Sequence, residues 1–170
     1  MNQAYRIKKA FRVPFAVVAV LLLILLLSSF YGGPTWERIL FAVLWIGATL
    51  VAIEINEREF LVSKDGLRIQ KFFRVKQLTW AEITHLGVVV LRSKAYFLLT
   101  TTKGFYIFSN LLQDHTLLVR YLADKLETEK VEAEVNQYLE NPIERKSLVV
   151  LTWIALLVIT ALILTKFLKP

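Results

Sequence analysis

The chain has 170 residues, 56% of them hydrophobic, with a formal net charge of +7 and no cysteine. Its mean hydropathy of +0.52 is too high for an ordinary soluble domain, and without cysteine it can do no disulfide or thiolate chemistry. The apolar excess is concentrated in three uncharged runs.

Residues 1–12 are a basic segment with Arg6, Lys8, Lys9, Arg12 and no acid. The chain then carries no charge from Val13 to Trp36, and Phe15 to Leu27 is apolar without a break. A helix rises about 1.5 Å per residue, so roughly 20 apolar residues cross a bilayer core. Residues 13–31 are therefore predicted as a first transmembrane helix. A secretory signal would share the basic start, but SSFYGGPTW follows the apolar core where a small-residue cleavage site is needed. Gly32, Gly33 and Pro34 read as the bend of a helical hairpin, with residues 36–55 as its second arm. That arm spans only if Trp36 and Glu54 sit in the two interfaces. Residues 147–165 form a third span and residues 166–170 a tail.

Cations set the orientation. The bend offers only Arg38, beside Glu37, so the N-terminus and the segment between the second and third spans are expected in the cytoplasm. The tail, with Lys166 and Lys169, would lie on the other side and weighs against this placement.

Residues 56–146 are enough for one small domain. Phe60-Leu61-Val62 runs into the turn SKDG, after which LRIQ alternates apolar and polar residues. A second turn is expected near Phe73 to Val75, followed by QLTW, the polar step AEITH, LGVVVL, YFLLTTT, a Lys103-Gly104 turn and FYIF. Short strands separated by turns predict an antiparallel meander. The period then changes. Asn110 and Gln113 make a loose capping box, and Leu111, Leu118, Leu122 and Leu126 share a helical face. The pattern continues with Val131, Val135, Tyr138 and Leu139 until Asn141-Pro142 ends it. The expected class is α+β, with one amphipathic helix covering the sheet.

The series FLVSKDGLRIQ, LTWAEITHLGVVV and YFLLTTTKGFYIF, followed by a helix, resembles the bacterial pleckstrin-homology-like domain, with Trp80, Glu82 and Ile83 matching its aromatic and acidic-Ile pattern. The resemblance covers about half the chain. It implies a PH-like antiparallel β-sandwich or barrel with a C-terminal amphipathic helix, carried in a bacterial inner membrane by three spans. Some three-span relatives look like assembly factors for membrane complexes.

That fold would put KFFRVK, Lys71 to Lys76, at a hairpin tip. One reading is membrane contact, with Phe72 in the interface and Lys64, Arg68, Lys71, Arg74 and Lys76 on lipid phosphates. The other is that Phe73 faces the core while the cations keep an exposed strand from aggregating. The remaining candidates are single residues. Asp114 and His115 point apart on a helix; His85 lies in a strand; Glu57 and Glu59 stand at a helix exit. Glu54 borders hydrocarbon, where an ionisable group is a functional candidate. Thr152, Thr160 and Thr165 suit packing between helices. No phosphate loop, metal-ligand spacing or nucleophile motif is present, so no catalytic residue, metal or cofactor is expected. Nearly balanced charge in residues 56–146 argues against nucleic acid. The expected function is a non-enzymatic scaffold assisting a membrane complex, with a membrane-protein partner or a second copy. The alternative is an anionic-lipid sensor.

Overall fold

The computed structural model describes residues 3–71 and 74–168; Phe72 and Phe73, on which the two readings of the hairpin tip turn, lie outside them. The elements run β1 (Gln3–Arg6), α1 (Lys9–Ser29), α2 (Thr35–Glu57), β2 (Glu59–Val62), β3 (Gly66–Lys71), β4 (Arg74–Thr79), β5 (Ile83–Leu91), β6 (Lys94–Thr101), β7 (Gly104–Ser109), α3 (His115–Lys125), α4 (Ala133–Glu140) and α5 (Ser147–Leu168). The chain is α+β and divides into two compact units. One joins the segment ending at Lys8 to Glu57–Lys146; the other joins Lys9–Asn56 to the segment from Ser147 onward.

In the helical unit α1, α2 and α5 are each long and apolar enough to cross a membrane, with mean hydropathies of 2.7, 2.1 and 2.8 over their most apolar stretches. Phe11, Val18, Leu22 and Leu25 form the buried stripe of α1, which packs against α5. Their three-and-four spacing is that of a helix seam. Thr152 is buried and returns its hydroxyl to the Leu148 carbonyl; Thr160 and Thr165 do likewise to Leu156 and Leu162. Lys166 at the end of α5 pairs with Glu37 at the start of α2 at 2.7 Å and lies 5.6 Å from the Phe41 ring. These two helix ends therefore share one end of the bundle.

The other unit holds two antiparallel sheets, β1-β2-β3-β4 and β5-β6-β7, and neither is closed on itself. Strand β1 falls in the segment expected only as a basic terminus. It pairs with β2 from Gln3–Val62 to Arg6–Glu59, and buries Tyr5 and Ile7. Residues before α1 and after α2 thus belong to one sheet. Ile7 bridges to Leu112, and Gln113 donates to the Arg6 carbonyl, which ties the corner between the sheets.

Phe60 from the first sheet meets Phe108 from the second at 5.2 Å, and Phe108 stacks on Phe97 at 5.0 Å. Leu67, Ile83, Leu86 and Leu99 are buried as well. The turn motifs act through close approach. A Cβ on Gly66 would overlap the Leu78 carbonyl, so SKDG needs glycine there for β3 to lie against β4. The aromatic and acidic-Ile pattern is structural: Trp80 donates to the Lys64 carbonyl, Glu82 accepts from the Thr79 N–H, and Ile83 is fully buried.

The expected single amphipathic helix is two. Leu118, Val119 and Leu122 of α3 and Val135 and Tyr138 of α4 are buried, but the chain between them is broken by a 3-10 turn at Thr128–Lys130. There Val131 bridges Leu86 in parallel, and the Glu132 N–H donates to the Leu86 carbonyl. The free edge of β5 takes these backbone groups, and a continuous helix would forgo them. Asn110 does not cap a helix. Its side chain is fully buried, and α3 starts later, after Asp114.

Candidate functional site

Register decides which of the hairpin cations meet. Lys71 pairs with Arg74, and Lys76 lies opposite Ile69, so these three share the side of the sheet that carries Leu67 and Ile69 inward. Arg68 lies opposite Gln77 on the other side, and Lys64 belongs to the turn at the far end of β3. The five cations are therefore one group of three and two separate residues. Arg68 lines an open groove of about 490 Å³ with Asp65, Gln77, Thr79 and a Glu82–Lys103 ion pair. The Lys103 contact, with the Thr79 N–H, holds the Glu82 carboxyl below its ordinary range.

Strand β4 is the edge of its sheet, with Arg74, Val75, Lys76 and Gln77 exposed. At the hairpin end of β3, Gln70 donates to Glu57, the last residue of α2, at 2.8 Å. Glu57 thus lies beside the hairpin end of β3, next to Lys71.

The second sheet turns an apolar face outward. Tyr96, Leu98, Ile107 and Phe105 lie on it, with Phe105 72% exposed. Strand β5 is buried in succession from Leu86 to Val88; then Val89, Val90 and Leu91 are 47%, 42% and 57% exposed in succession. The β5 side of the β5–β6 hairpin is thus apolar and exposed at its end, while Ala95, opposite Val90, is buried. At its turn Arg92 holds a φ of 55°, a left-handed conformation uncommon for residues with a side chain. Arg92 and Lys94 are exposed beside the apolar run. The run LGVVVL reads as an ordinary strand. The sequence signal for a tip is its continuation into Arg-Ser-Lys.

Buried polar groups lie under that hairpin. The Asn110 amide donates to the Ser93 carbonyl at 3.1 Å and the Ile143 carbonyl at 2.8 Å. The Tyr138 hydroxyl donates to the same Ile143 carbonyl and lies 2.8 Å from His115 Nε2. Burial pushes the Tyr138 hydroxyl up and His115 down, and the nearby Lys8 charge lowers His115 further. Lys8 reaches Glu144 at 3.3 Å, and the Arg145 guanidinium lies 5.9 Å from the Tyr96 ring.

The other candidates take structural places. His85 Nε2 meets Glu132 at 2.7 Å, half-exposed on the edge of β5, and the Glu132 carboxylate occupies the space a Cβ on Gly87 would need. Glu59 pairs with Arg6 at 3.0 Å. Glu54 is half-buried, and one of its carboxylate oxygens is enclosed without a hydrogen-bond partner among the described residues. Asp114 sits in a left-handed turn before α3, apart from the His115–Tyr138 contact. No group of His, Asp and Glu among the described residues could hold a metal ion. Comparison with protein-family models, curated proteins and solved structures finds no match.

Proposed function

We propose that the chain is a membrane-anchored, non-enzymatic interaction module whose sheet unit is a PH-like sandwich, assisting assembly or regulation of a membrane protein complex. Its place is a bacterial inner membrane, with the sheet unit in the cytoplasm. Four cations before Val13 support that orientation. The Lys166 charge, which weighs against it, is compensated by Glu37. Two antiparallel sheets followed by helices support the PH-like reading, which implies one C-terminal helix where the chain has α3 and α4.

The observation that carries the interaction role is the unpaired edge of β4. An extended partner segment can add to such an edge through its backbone, with side chains setting specificity. Arg74 and Lys76 discourage self-pairing of this edge and favour an acidic strand. A photo-crosslinking residue at Gln77 of the intact protein in native membranes should give a defined protein adduct. Arg74→Glu with Lys76→Glu should abolish it by repulsion. The reading fails if Gln77 yields no adduct, or if the adduct survives both charge reversals.

A second reading is anionic-lipid binding at Lys71, Arg74 and Lys76, favoured by the Gln70–Glu57 hydrogen bond beside the end of α2. The purified protein should then retain phosphatidylglycerol in a salt-sensitive way, because screening shortens charge attraction to about 10 Å at 0.1 M salt. Glutamine at all three positions should release it.

A further inference from the structure

We infer that the β5–β6 hairpin tip is a membrane wedge: Val89, Val90 and Leu91 enter the interface of the bilayer that anchors the chain, and Arg92 and Lys94 meet its anionic phosphates. This does not rest on β4 capturing a partner.

Three features point to lipid as the occupant. Consecutive exposed apolar residues have no role in a solvated strand, where one face would be polar. Val89, Val90 and Leu91 break that rule on both faces of β5. An apolar run flanked by cations complements a surface with acyl chains below and phosphates above. The tip is also tied to a membrane entry point. Asn110 holds the Ser93 carbonyl of the turn and the Ile143 carbonyl with one amide. Ile143 is followed four residues later by Ser147, the first residue of α5, and four residues of chain reach at most about 14 Å. Arg145, on that same connecting segment, lies over Tyr96 of β6. The apolar face is thus continuous with the chain that runs into the third span. Tethering makes insertion intramolecular, so a small wedge is enough.

The chain has no cysteine, so Leu91→Cys places a single environment-sensitive label on the tip of the full-length protein. Thr102→Cys, exposed in the turn between β6 and β7 at the other end of the same sheet, is the reference. Both are reconstituted in discs of phosphatidylcholine alone, or of equal parts phosphatidylcholine and phosphatidylglycerol. In anionic discs the label at position 91 should be quenched by a lipid-borne spin label and shielded from iodide, with the reverse at position 102. Arg92→Gln with Lys94→Gln should lower the ratio of inserted to free tip about fivefold per charge in anionic discs and leave it unchanged in neutral ones. Equal iodide access at both positions overturns the wedge. Shielding from both quenchers overturns it too, because protein would then cover the tip. Insertion that ignores the two substitutions overturns the phosphate contacts.

Discussion

The sharpest test of the sheet unit concerns the six residues from Gln3 to Lys8. Residues 57–146 alone lack β1, and with it Tyr5 at 3% exposure and Ile7 at 5%. Burying a large apolar side chain contributes about 1.5–3 kcal/mol, so the two contribute roughly 3–6 kcal/mol. The backbone bonds from Lys8 to Leu111 and from Gln113 to Arg6 are lost as well. Typical domains have only about 5–15 kcal/mol in total, so the truncated unit should be marginal or unfolded. It would also expose β2 as a new edge carrying Phe60 and Val62. The comparison needs two soluble chains: residues 57–146, and residues 3–8 joined to 57–146 by a flexible glycine-serine linker. Urea unfolding followed by circular dichroism should separate their midpoints by about 1–6 M, given a slope of about 1–3 kcal/mol per molar. In the linked chain Tyr5→Ala should remove about 3–5 kcal/mol. Coincident midpoints for the two chains would refute the placement of β1.

Asn110→Ala removes the Ser93 carbonyl's side-chain donor, while the Ile143 carbonyl keeps the Tyr138 hydroxyl, so it should cost about 1–3 kcal/mol in urea unfolding. Asn110→Asp, similar in shape but without the donor, should be no better. His115 is held below its ordinary pKa, so its unfolded form takes up a proton first. Stability of the linked chain should therefore be full above about pH 6.5 and fall as pH drops below it, by at most about 1.4 kcal/mol per unit. His115→Gln should remove that part of the pH dependence in thermal melts. Reporters fused before Gln3 and inserted at Lys103 should report the same compartment and one after Pro170 the opposite, because β1 and β2 share a sheet. Opposite signals from the first two would break that sheet.

Local patterns foretold the elements that local chemistry fixes. The three apolar runs are α1, α2 and α5, although α1 begins at Lys9, inside the basic segment, and takes in Arg12. SKDG and Lys103-Gly104 are turns because of a close approach at Gly66 and a φ of 126° at Gly104. What was not legible depends on partners far along the chain. Tyr5 and Ile7 alternate as a strand should, but four residues next to a basic run give no sign that β2 awaits them beyond two helices. The break between α3 and α4 is set by the β5 edge at Leu86, not by poor helix formers. Asn110 reads equally well as a cap until Ser93 and Ile143 are seen around it. The basic hairpin was visible as composition, but only register separates Arg68 from Lys71, Arg74 and Lys76.

The pairing of β1 with β2 also constrains biogenesis. Gln3–Arg6 is made before its partner β2, which follows only after α1 and α2 have been made. At about 5–20 residues per second, that is a wait of roughly 3–12 s with the strand unpaired. On the proposed orientation, Arg6, Lys8, Lys9 and Arg12 would keep this segment on the side where β2 follows, so one basic run would both orient α1 and hold β1. A chain in which only one of α1 and α2 crossed would separate β1 from β2 by a bilayer. Its sheet unit would then lack Tyr5 and Ile7 and expose an apolar edge to proteases and chaperones. Completion of the sheet is thus a check on insertion, made by folding itself.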